Sequence, residues 1–254
     1  MNLPAGSARG SGPRNSGGAA GAGIRGDEIA GLVRMVRDWG EETRPDAEER
    51  LARLADAIAR WNEAINLVSR RDVGRLVKYH FCDAVSVLPL LGLRGRMEIL
   101  DVGGSNGLPG LALAAVSPYA AVTVCDSRSK RRGFLEEVCG SGVETAGMVP
   151  GAGLGRFELG RVDSLDFRRR HAGGFDLVLA RAVTRLKPLV RWCMPLVRPG
   201  GRLVAYKGSR AGEEVGEAEP HFFGHGGGML ALVGSPAAAH CNPLRIFAIA
   251  LRGV

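Results

Sequence analysis

Residues Glu98 to Gly110 have the sequence Glu-Ile-Leu-Asp-Val-Gly-Gly-Ser-Asn-Gly-Leu-Pro-Gly, a short apolar run followed by a loop of small residues. The run from Ile99 to Val102 is partly β-branched and predicts a buried strand. Proline tolerates the first helical turn, where its missing N–H is not needed, so a helix is expected to begin at Pro109. Strand, glycine loop and helix in this order form the first half of a nucleotide-binding βαβ unit, since glycines permit close approach of the backbone to a ligand.

The spacing of the glycines favours one type of adenosine cofactor. The dinucleotide pattern G-x-G-x-x-G does not fit the loop without a mismatch, and no phosphate-binding loop of the form G-x-x-x-x-G-K-[ST] is present. The loop instead resembles the first motif of the S-adenosylmethionine-dependent methyltransferases, an acid followed by G-x-G-x-G. Asp101, Gly103 and Gly107 match this motif, whereas Ser105 replaces its central glycine. Taken alone, the loop could also be a glycine-rich turn of an ordinary α/β domain.

An acidic residue after the next strand supports a cofactor site. A second strand is predicted over residues 121–125, and Asp126 follows it directly. A carboxylate about 20 positions past the glycine loop is placed to accept both ribose hydroxyls of an adenosine. We therefore favour a cofactor site over a structural turn.

Composition limits the class of protein. The chain has 254 residues, 45% of them hydrophobic, which is enough for a sizeable core. No apolar run approaches the ~20 residues of a membrane span, so we expect no contact with a membrane. The 34 basic and 26 acidic residues give a net charge of +8, which suits a polyanionic partner without proving one. Five cysteines without a C-x-x-C pair favour a reducing compartment, and we expect a cytoplasmic location.

The chain divides into three parts. Residues 1–26 are rich in Gly, Ala and Ser and are predicted to be a disordered basic tail. Residues 27–93 carry apolar side chains at helical spacing and are predicted to be a helical N-terminal region. Residues 94–254 alternate strand and helix and are predicted to be the methyltransferase domain. The predicted class is α/β, a mostly parallel Rossmann-like sheet with a helical N-terminal cap.

Several later segments complete the predicted sheet. Further strands are expected at 157–161, 175–180 and 202–206, and the runs 229–233 and 244–251 are expected to close the sheet as an antiparallel pair. The charged, glycine-rich segment 209–228 is predicted to be a loop or a frayed helix.

Ligands of such sheets bind beyond the carboxyl ends of the strands, which identifies candidate residues. Asp163 can accept a hydrogen bond from an adenine amine beside the apolar Val162, although a turn or cap residue is an equal alternative for Asp163. Arg181 follows an apolar strand, where an unpaired guanidinium would be costly to bury. It should therefore meet a carboxylate, either that of the cofactor or a protein carboxylate such as Asp101.

Other candidate sites are weaker. His221 and His225 stand four residues apart without a third ligand, so no metal is predicted. The basic clusters at 128–132 and 168–170 could contact phosphates, but such clusters are more often only a solvated face. They contain no interleaved aromatic residue for stacking on a single strand.

Several motifs together resemble one family, the bacterial small-subunit ribosomal RNA guanine-N7 methyltransferase G, also called glucose-inhibited division protein B. The matching segments are Trp61-Asn-Glu-Ala-Ile-Asn-Leu67, His80-Phe-Cys-Asp83, Asp101 to Gly110, Asp126-Ser-Arg-Ser-Lys-Arg131, Ala180-Arg-Ala182 and Tyr206-Lys-Gly208. The resemblance covers roughly residues 29–207. Ser105 and Asn106 depart from the family pattern, and Ser105 can fit the loop only if its φ is negative.

The resemblance implies a cofactor, a reaction and a partner. The cofactor is S-adenosyl-L-methionine, and the implied contacts are Gly103, Leu108, Val162, Asp163 and Arg181. The implied reaction is methyl transfer to N7 of a guanine in 16S ribosomal RNA. Guanine N7 has a lone pair and no proton, so no general base is needed and no catalytic residue is assigned. The expected partner is 16S RNA or the small ribosomal subunit, and the protein is expected to be a monomer.

Three alternatives remain open from sequence. The chain could methylate a small molecule, or it could be a nicotinamide oxidoreductase, although the glycine spacing and the lack of a proton-relay residue disfavour the latter. It could also be an RNA-binding relative that has lost the cofactor, an alternative that Ser105 keeps open.

Overall fold

The structure is a computed structural model, and it describes residues 26–140, 153–225, 227–235 and 237–253. The predicted basic tail lies outside these ranges except for Gly26, which begins the first helix. The glycine-spotted loop after Gly140 lies largely outside them as well. These parts of the sequence prediction therefore stay predictions.

The described residues contain seven strands. They are β1 (Met97–Val102), β2 (Ala120–Asp126), β3 (Arg156–Leu159), β4 (Phe175–Arg181), β5 (Val197–Lys207), β6 (Gly227–Val233) and β7 (Ile246–Arg252). They form one sheet in the order β3-β2-β1-β4-β5-β7-β6. Strands β3, β2, β1, β4 and β5 are parallel, and β7 pairs antiparallel with both β5 and β6. The predicted mostly parallel sheet with an antiparallel end is confirmed.

Ten α-helices surround this sheet in the described residues. They are α1 (Gly26–Asp38), α2 (Ala47–Ile65), α3 (Cys82–Val85), α4 (Leu88–Leu91), α5 (Gly110–Val116), α6 (Arg132–Cys139), α7 (Leu165–Arg170), α8 (Leu186–Cys193), α9 (Ala211–Phe222) and α10 (Ala238–Cys241). A 3₁₀-helix (Arg70–Arg75) and a π-helix (Leu76–Phe81) precede α3. Shorter 3₁₀ turns are Ser129–Arg131, Met194–Leu196 and Phe223–His225.

The central strands are covered on both faces, as parallel sheets require. Side chains of β4 alternate between two apolar clusters: Leu177 and Leu179 face the N-terminal helices and α5, and Val178 faces α8. The apolar stripes predicted for α1 and α2 are buried in the first cluster. The helical region therefore shares one core with the sheet, and its division from the rest of the chain at residue 93 stays a prediction.

Two segments differ from their predicted structure. The last part of the predicted helical region 27–93 is broken into the π-helix, α3 and α4, whereas its apolar spacing predicts one helix ending near Pro89, and Pro89 lies in the first turn of α4, where proline is tolerated. The segment 209–228 contains the twelve-residue helix α9. Ion pairs hold this helix to the protein, because Arg185 pairs with both Glu213 and Glu217. Such tertiary contacts outweigh the low helix propensity of its glycines.

The cysteines form one pair that their spacing did not predict. Cys82 and Cys241 are joined by a disulfide across 159 residues of sequence, whereas Cys125, Cys139 and Cys193 are free and buried. Disulfides are rare in reducing compartments. This pair therefore does not follow from the compartment that we inferred from the cysteine count.

No helix in the described ranges is both long and apolar enough to cross a membrane.

The shared core makes a first testable prediction. Leu54 in α2 is fully buried against the sheet side of the core, so Leu54→Ala should lower the free energy of unfolding by about 2–5 kcal/mol. Urea unfolding followed by circular dichroism measures this. Leu165 is 63% exposed, and Leu165→Ala should change the same quantity by no more than about 0.5 kcal/mol. Equal effects of the two substitutions would contradict the described packing.

Candidate active site

The glycine loop after β1 uses glycine where its backbone requires it. Gly103 and Gly107 have φ values of 70° and 74°, which L side chains rarely adopt. A Cβ atom on Gly103 would also lie 2.8 Å from Val183 Cγ2. Ser105 is not among the residues with positive φ. The replacement of the central glycine by serine is therefore compatible with this loop.

The acidic residue of the motif, Asp101, contacts the glycine loop and the start of α5. Its Oδ2 accepts a hydrogen bond from the N–H of Gly110 at 2.8 Å, at the start of α5. Its Oδ1 has no hydrogen-bond partner among the described residues. Burial raises the pKa of Asp101 from 3.8 to about 7, although the Gly110 N–H and the charge of Arg181 oppose this rise. A Cβ on Gly104 would lie 2.7 Å from Asp101 Oδ2, so the carboxyl and the loop are in close contact.

Three of the predicted cofactor residues line one cavity. This cavity, of about 170 Å³, lies beyond the carboxyl ends of β1, β2 and β3 and is lined by Gly103, Val162 and Asp163. Trp192 and Val183 form its other side. We call it the cofactor cavity. The Asp163 carboxylate accepts a hydrogen bond from Arg161 at 2.6 Å, so a side chain already engages part of its acceptor capacity.

Two predicted residues, Leu108 and Asp126, are not part of the lining of the cofactor cavity. Leu108 is buried, and its N–H donates to Asn106 Oδ1 at 3.1 Å. Asp126 is also buried, and its Oδ1 accepts from the N–H of Arg128 at 2.7 Å. The two neighbours of Asp126, Cys125 and Ser127, do line the cavity. The proposed contact of Asp126 with ribose hydroxyls therefore stays a prediction.

The sixth predicted residue, Arg181, pairs with a protein carboxylate. Its Nη1 lies 3.1 Å from Oδ2 of Asp83 in α3, not against Asp101, the partner suggested from sequence. Asp83 also accepts from Nε and Nη2 of Arg245 at 2.7 and 2.9 Å, and from Nδ2 of Asn242 at 3.3 Å. One buried carboxylate thus joins two arginines. The alternative of a structural ion pair for Arg181 is the arrangement observed.

His80 adjoins the cluster formed by Asp83, Arg181, Asn242 and Arg245. Its Nδ1 lies 3.2 Å from Nη2 of Arg181, and its Nε2 lies 3.5 Å from Oδ2 of Asp72. Burial lowers the pKa of His80, and the charge of Arg181 lowers it further. The ring is therefore neutral near pH 7, with Nδ1 able to accept from Arg181 and the Nε2–H directed to Asp72.

A larger cavity of about 700 Å³ lies next to the cofactor cavity, and Val183 lines both. We call it the acceptor cavity. Its basic lining residues are Arg75, Arg181, Arg185, Lys207, Arg210 and Arg245. Its acidic lining residues are Asp72, Asp83 and Glu214. Asp83 is engaged by the arginines, Glu214 accepts from Lys207 Nζ at 2.7 Å, and Arg185 pairs with Glu213 and Glu217. The basic side chains still outnumber the carboxylates, so the lining carries net positive charge.

Two of the segments that resemble the family, Trp61 to Leu67 and Asp126 to Arg131, each contribute a side chain with a structural role. Asn62 Oδ1 accepts from the N–H groups of Leu67 and Val68 at 2.6 and 2.8 Å. The buried Arg131 donates to the carbonyls of Ile65 and Asn66 at the end of α2. Both side chains satisfy backbone groups at this helix end. Arg131, part of a cluster considered for RNA phosphates, is therefore not available to them.

The described residues contain no group of three or more His, Cys, Asp or Glu side chains that could hold a metal ion. His221 is part of α9, and the side chain of His225 lies outside the described residues.

Comparison with known proteins identifies the family. A family model described as "GidB: rRNA small subunit methyltransferase G" matches residues 47–238. The chain belongs to this family. The match begins at α2 and includes β1 to β6, the cofactor cavity and the lining of the acceptor cavity except Asn242 and Arg245, so the site described above belongs to a methyltransferase. The nicotinamide oxidoreductase alternative is thereby excluded.

Individual relatives and structures agree with the family. The ribosomal RNA small subunit methyltransferase G of Symbiobacterium thermophilum is 36% identical over 188 residues, 74% of this chain and 75% of the relative. That of Halalkalibacterium halodurans is 34% identical over 173 residues, 68% and 69% of the two chains.

Solved methyltransferase structures share the fold. A chain of the complex between the Haloferax volcanii Trm112 methyltransferase activator and a methyltransferase has a TM-score of 0.50 and 13% identity, covering 78% of this chain and 98% of that one. The CurJ carbon methyltransferase has a TM-score of 0.50 and 11% identity, covering 90% and 71%. At these identities the likeness concerns the fold alone, and it confirms the predicted Rossmann-like class.

The buried carboxyl makes a second prediction. Because the pKa of Asp101 is about 7 in the folded protein and near 3.8 when unfolded, folding retains a proton that the unfolded chain releases. The free energy of unfolding should therefore fall as the pH rises from about 4 to about 7, by at most about 1.4 kcal/mol per pH unit from this group. Asp101→Asn should remove this part of the decline, as measured by urea unfolding at pH 5 and pH 7.5.

Asp163→Asn is the matched control, since it removes a partly exposed carboxylate from the same edge of the sheet. Because this variant keeps Asp101, the decline in its free energy of unfolding between pH 5 and pH 7.5 that comes from Asp101 should remain. Parallel pH profiles for Asp101→Asn and wild type would contradict the assigned protonation of Asp101.

Proposed function

We propose that this protein transfers the methyl group of S-adenosyl-L-methionine to N7 of a guanine in 16S ribosomal RNA. The observation that carries the proposal is the pair of adjoining cavities that share Val183 at the carboxyl edge of the sheet, in a chain of the rRNA small subunit methyltransferase G family. The smaller would take the cofactor and the larger the acceptor nucleotide.

The residues around the cofactor cavity fit the proposed cofactor. Gly103 presents backbone without a side chain beside Val183, Val162 offers an apolar wall, and Asp163 offers an acceptor for an adenine amine. We propose Leu108, Asp126 and Arg181 as further contacts or supports of this site. When bound, S-adenosyl-L-methionine supplies a methyl group activated by its sulfonium charge.

The lining of the acceptor cavity suits a nucleotide of a polyanion. Its lining holds six basic and three acidic side chains, so its net charge is positive even though Arg185 is paired with Glu213 and Glu217. Net positive charge attracts RNA phosphates. The target guanine must be unpaired or extruded to enter such a cavity.

The proposed chemistry asks the protein to orient the reactants and exclude water. Guanine N7 carries a lone pair and no proton, so no side chain has to remove one. The neutral His80 and the paired Arg181 then serve to fix the shape and charge of the cavity wall. Alignment of the nucleophile with the methyl group supplies the rate enhancement.

We also propose that the protein acts as a monomer in the bacterial cytoplasm, on 16S RNA or on the small ribosomal subunit. The family assignment and the positive charge of the acceptor cavity support an RNA substrate. An RNA-binding relative without cofactor is disfavoured because Ser105 does not require a positive φ.

The test is transfer of labelled methyl to small ribosomal subunits that lack the modification. Wild type should label 16S RNA, and the product should be cleaved by the borohydride and aniline treatment that detects N7-methylguanine.

Gly103→Ala should lower the affinity for S-adenosyl-L-methionine, measured by calorimetry, at least about tenfold, because the added Cβ would clash with Val183 at a position whose positive φ is already unfavourable for alanine. Ser105→Gly should stay within about threefold of wild type, since glycine can adopt the φ of any residue.

Gly173→Ala is the matched control, because Gly173 has a φ of 63° but open space around its Cβ position. Gly173→Ala should strain the backbone as Gly103→Ala does, but it should leave the affinity for S-adenosyl-L-methionine unchanged. Absence of label in 16S RNA, from wild type that binds the cofactor, would contradict the proposal. A small-molecule acceptor would then become the favoured alternative.

A further inference from the structure

An exposed aromatic side chain lies at the mouth of the acceptor cavity. Tyr79 is 41% exposed and lines this cavity. The other described large hydrophobic side chains that are similarly exposed lie outside its lining. The second tyrosine of the cavity, Tyr206, is buried and donates its hydroxyl to the carbonyl of Ala84 at 2.6 Å. Tyr79 is therefore the aromatic ring of this cavity that a ligand can reach.

Two cations flank the ring of Tyr79. The guanidinium carbon of Arg75 lies 4.0 Å from the ring centroid, and Nζ of Lys78 lies 5.7 Å from it. These distances are typical of cation–π contacts, which orient an aromatic ring on a protein surface. We call Arg75, Lys78 and Tyr79 the Tyr79 platform.

The backbone of this platform is fixed from the inside. Leu76, Val77 and Phe81, in the same π-helix as Tyr79, are buried in the core that joins the helices to the sheet. The next residue, His80, contacts Arg181 through its ring and through its carbonyl oxygen. Tyr79 therefore stands at a defined position relative to the carboxyl end of β4.

The platform and the 3₁₀-helix that leads into it carry net positive charge. Arg70, Arg71, Arg75 and Lys78 are exposed and form no salt bridge with a described residue, and the one carboxylate of this 3₁₀-helix is Asp72, whose pKa the charge of Arg75 helps to lower. An exposed aromatic ring beside free cations is the combination that binds single-stranded nucleic acid, since rings stack on bases while cations contact phosphates. The arginine clusters noted from sequence lacked such an aromatic residue.

We propose that Tyr79 is a stacking platform for an RNA base that flanks the target guanine at the mouth of the acceptor cavity. Arg75 holds the ring, and Arg70, Arg71 and Lys78 contact the adjoining phosphates. A flanking base is favoured over the target itself because the ring is exposed at the rim, whereas the inner wall is formed by buried groups such as Asp83. This inference rests on the proposed function and adds a residue that selects single-stranded RNA.

The experiment measures binding and catalysis separately. With fluorescently labelled small ribosomal subunits and S-adenosylhomocysteine present, Tyr79→Leu should raise the Kd at least about tenfold, because leucine keeps apolar volume but cannot stack on a base. Tyr79→Phe keeps the ring and should stay within about threefold of wild type. In methyl transfer, Tyr79→Leu should raise KM while kcat stays within about threefold.

A matched control and a charge variant complete the test. Tyr119 precedes β2 at the opposite edge of the sheet, and Tyr119→Leu should leave the Kd for subunits unchanged. Lys78→Gln should reduce the slope of log Kd against log salt by about one, whereas Arg96→Gln, before β1 at that opposite edge, should not. Melting temperatures of the variants show that each is folded.

The outcomes separate this inference from the proposed function. Wild type that binds subunits without methylating them would contradict the proposed function, and the ratio of Kd values would still decide the role of Tyr79. An unchanged Kd for Tyr79→Leu would overturn the inference, as would a fall in kcat at unchanged KM. Wild type that binds no subunits would overturn both.

Discussion

The carboxylate of Asp83 is buried between two arginines that come from distant parts of the chain, Arg181 at the end of β4 and Arg245 just before β7. A buried carboxylate is tolerated only when its charge is matched and its oxygens are hydrogen-bonded, and here both oxygens accept. This interaction ties the helical N-terminal region to the carboxyl edge of the sheet. The wall of the acceptor cavity depends on it, because all three side chains line that cavity.

The sequence was most informative where the pattern is local. The strand from Ile99 to Val102, the loop after it and the acid at the end of β2 follow from hydrophobic periodicity and glycine spacing, and the structure has them in place. The partner of Arg181 could not be deduced in this way, since Asp83 is 98 residues away and the pairing depends on the path of the π-helix. Likewise, α9 depends on ion pairs with Arg185 that no local pattern reveals.

The predicted site residues also show that a local sequence pattern does not fix contacts in the folded chain. Gly103, Val162 and Asp163 were named from their positions at strand ends and do line one cavity. Position along a strand does not determine how a side chain turns, and so it did not show that Asp126, at the end of β2, is outside the lining of that cavity. The loop itself illustrates how a motif can vary: of the positions in it, 103 and 107 need glycine for their φ, whereas 105 does not.

The order of strands has a consequence for how the protein is made. Strand β7 lies between β5 and β6 although it follows both in the chain, and Arg245, which completes the Asp83 cluster, immediately precedes it. During translation the parallel strands emerge first, with the open edge of β5 and the carboxylate of Asp83 both awaiting residues synthesised later. A nascent chain that ends before Arg245 therefore lacks a residue that lines the acceptor cavity and binds Asp83, so this cavity is completed only when the antiparallel end of the sheet has been synthesised.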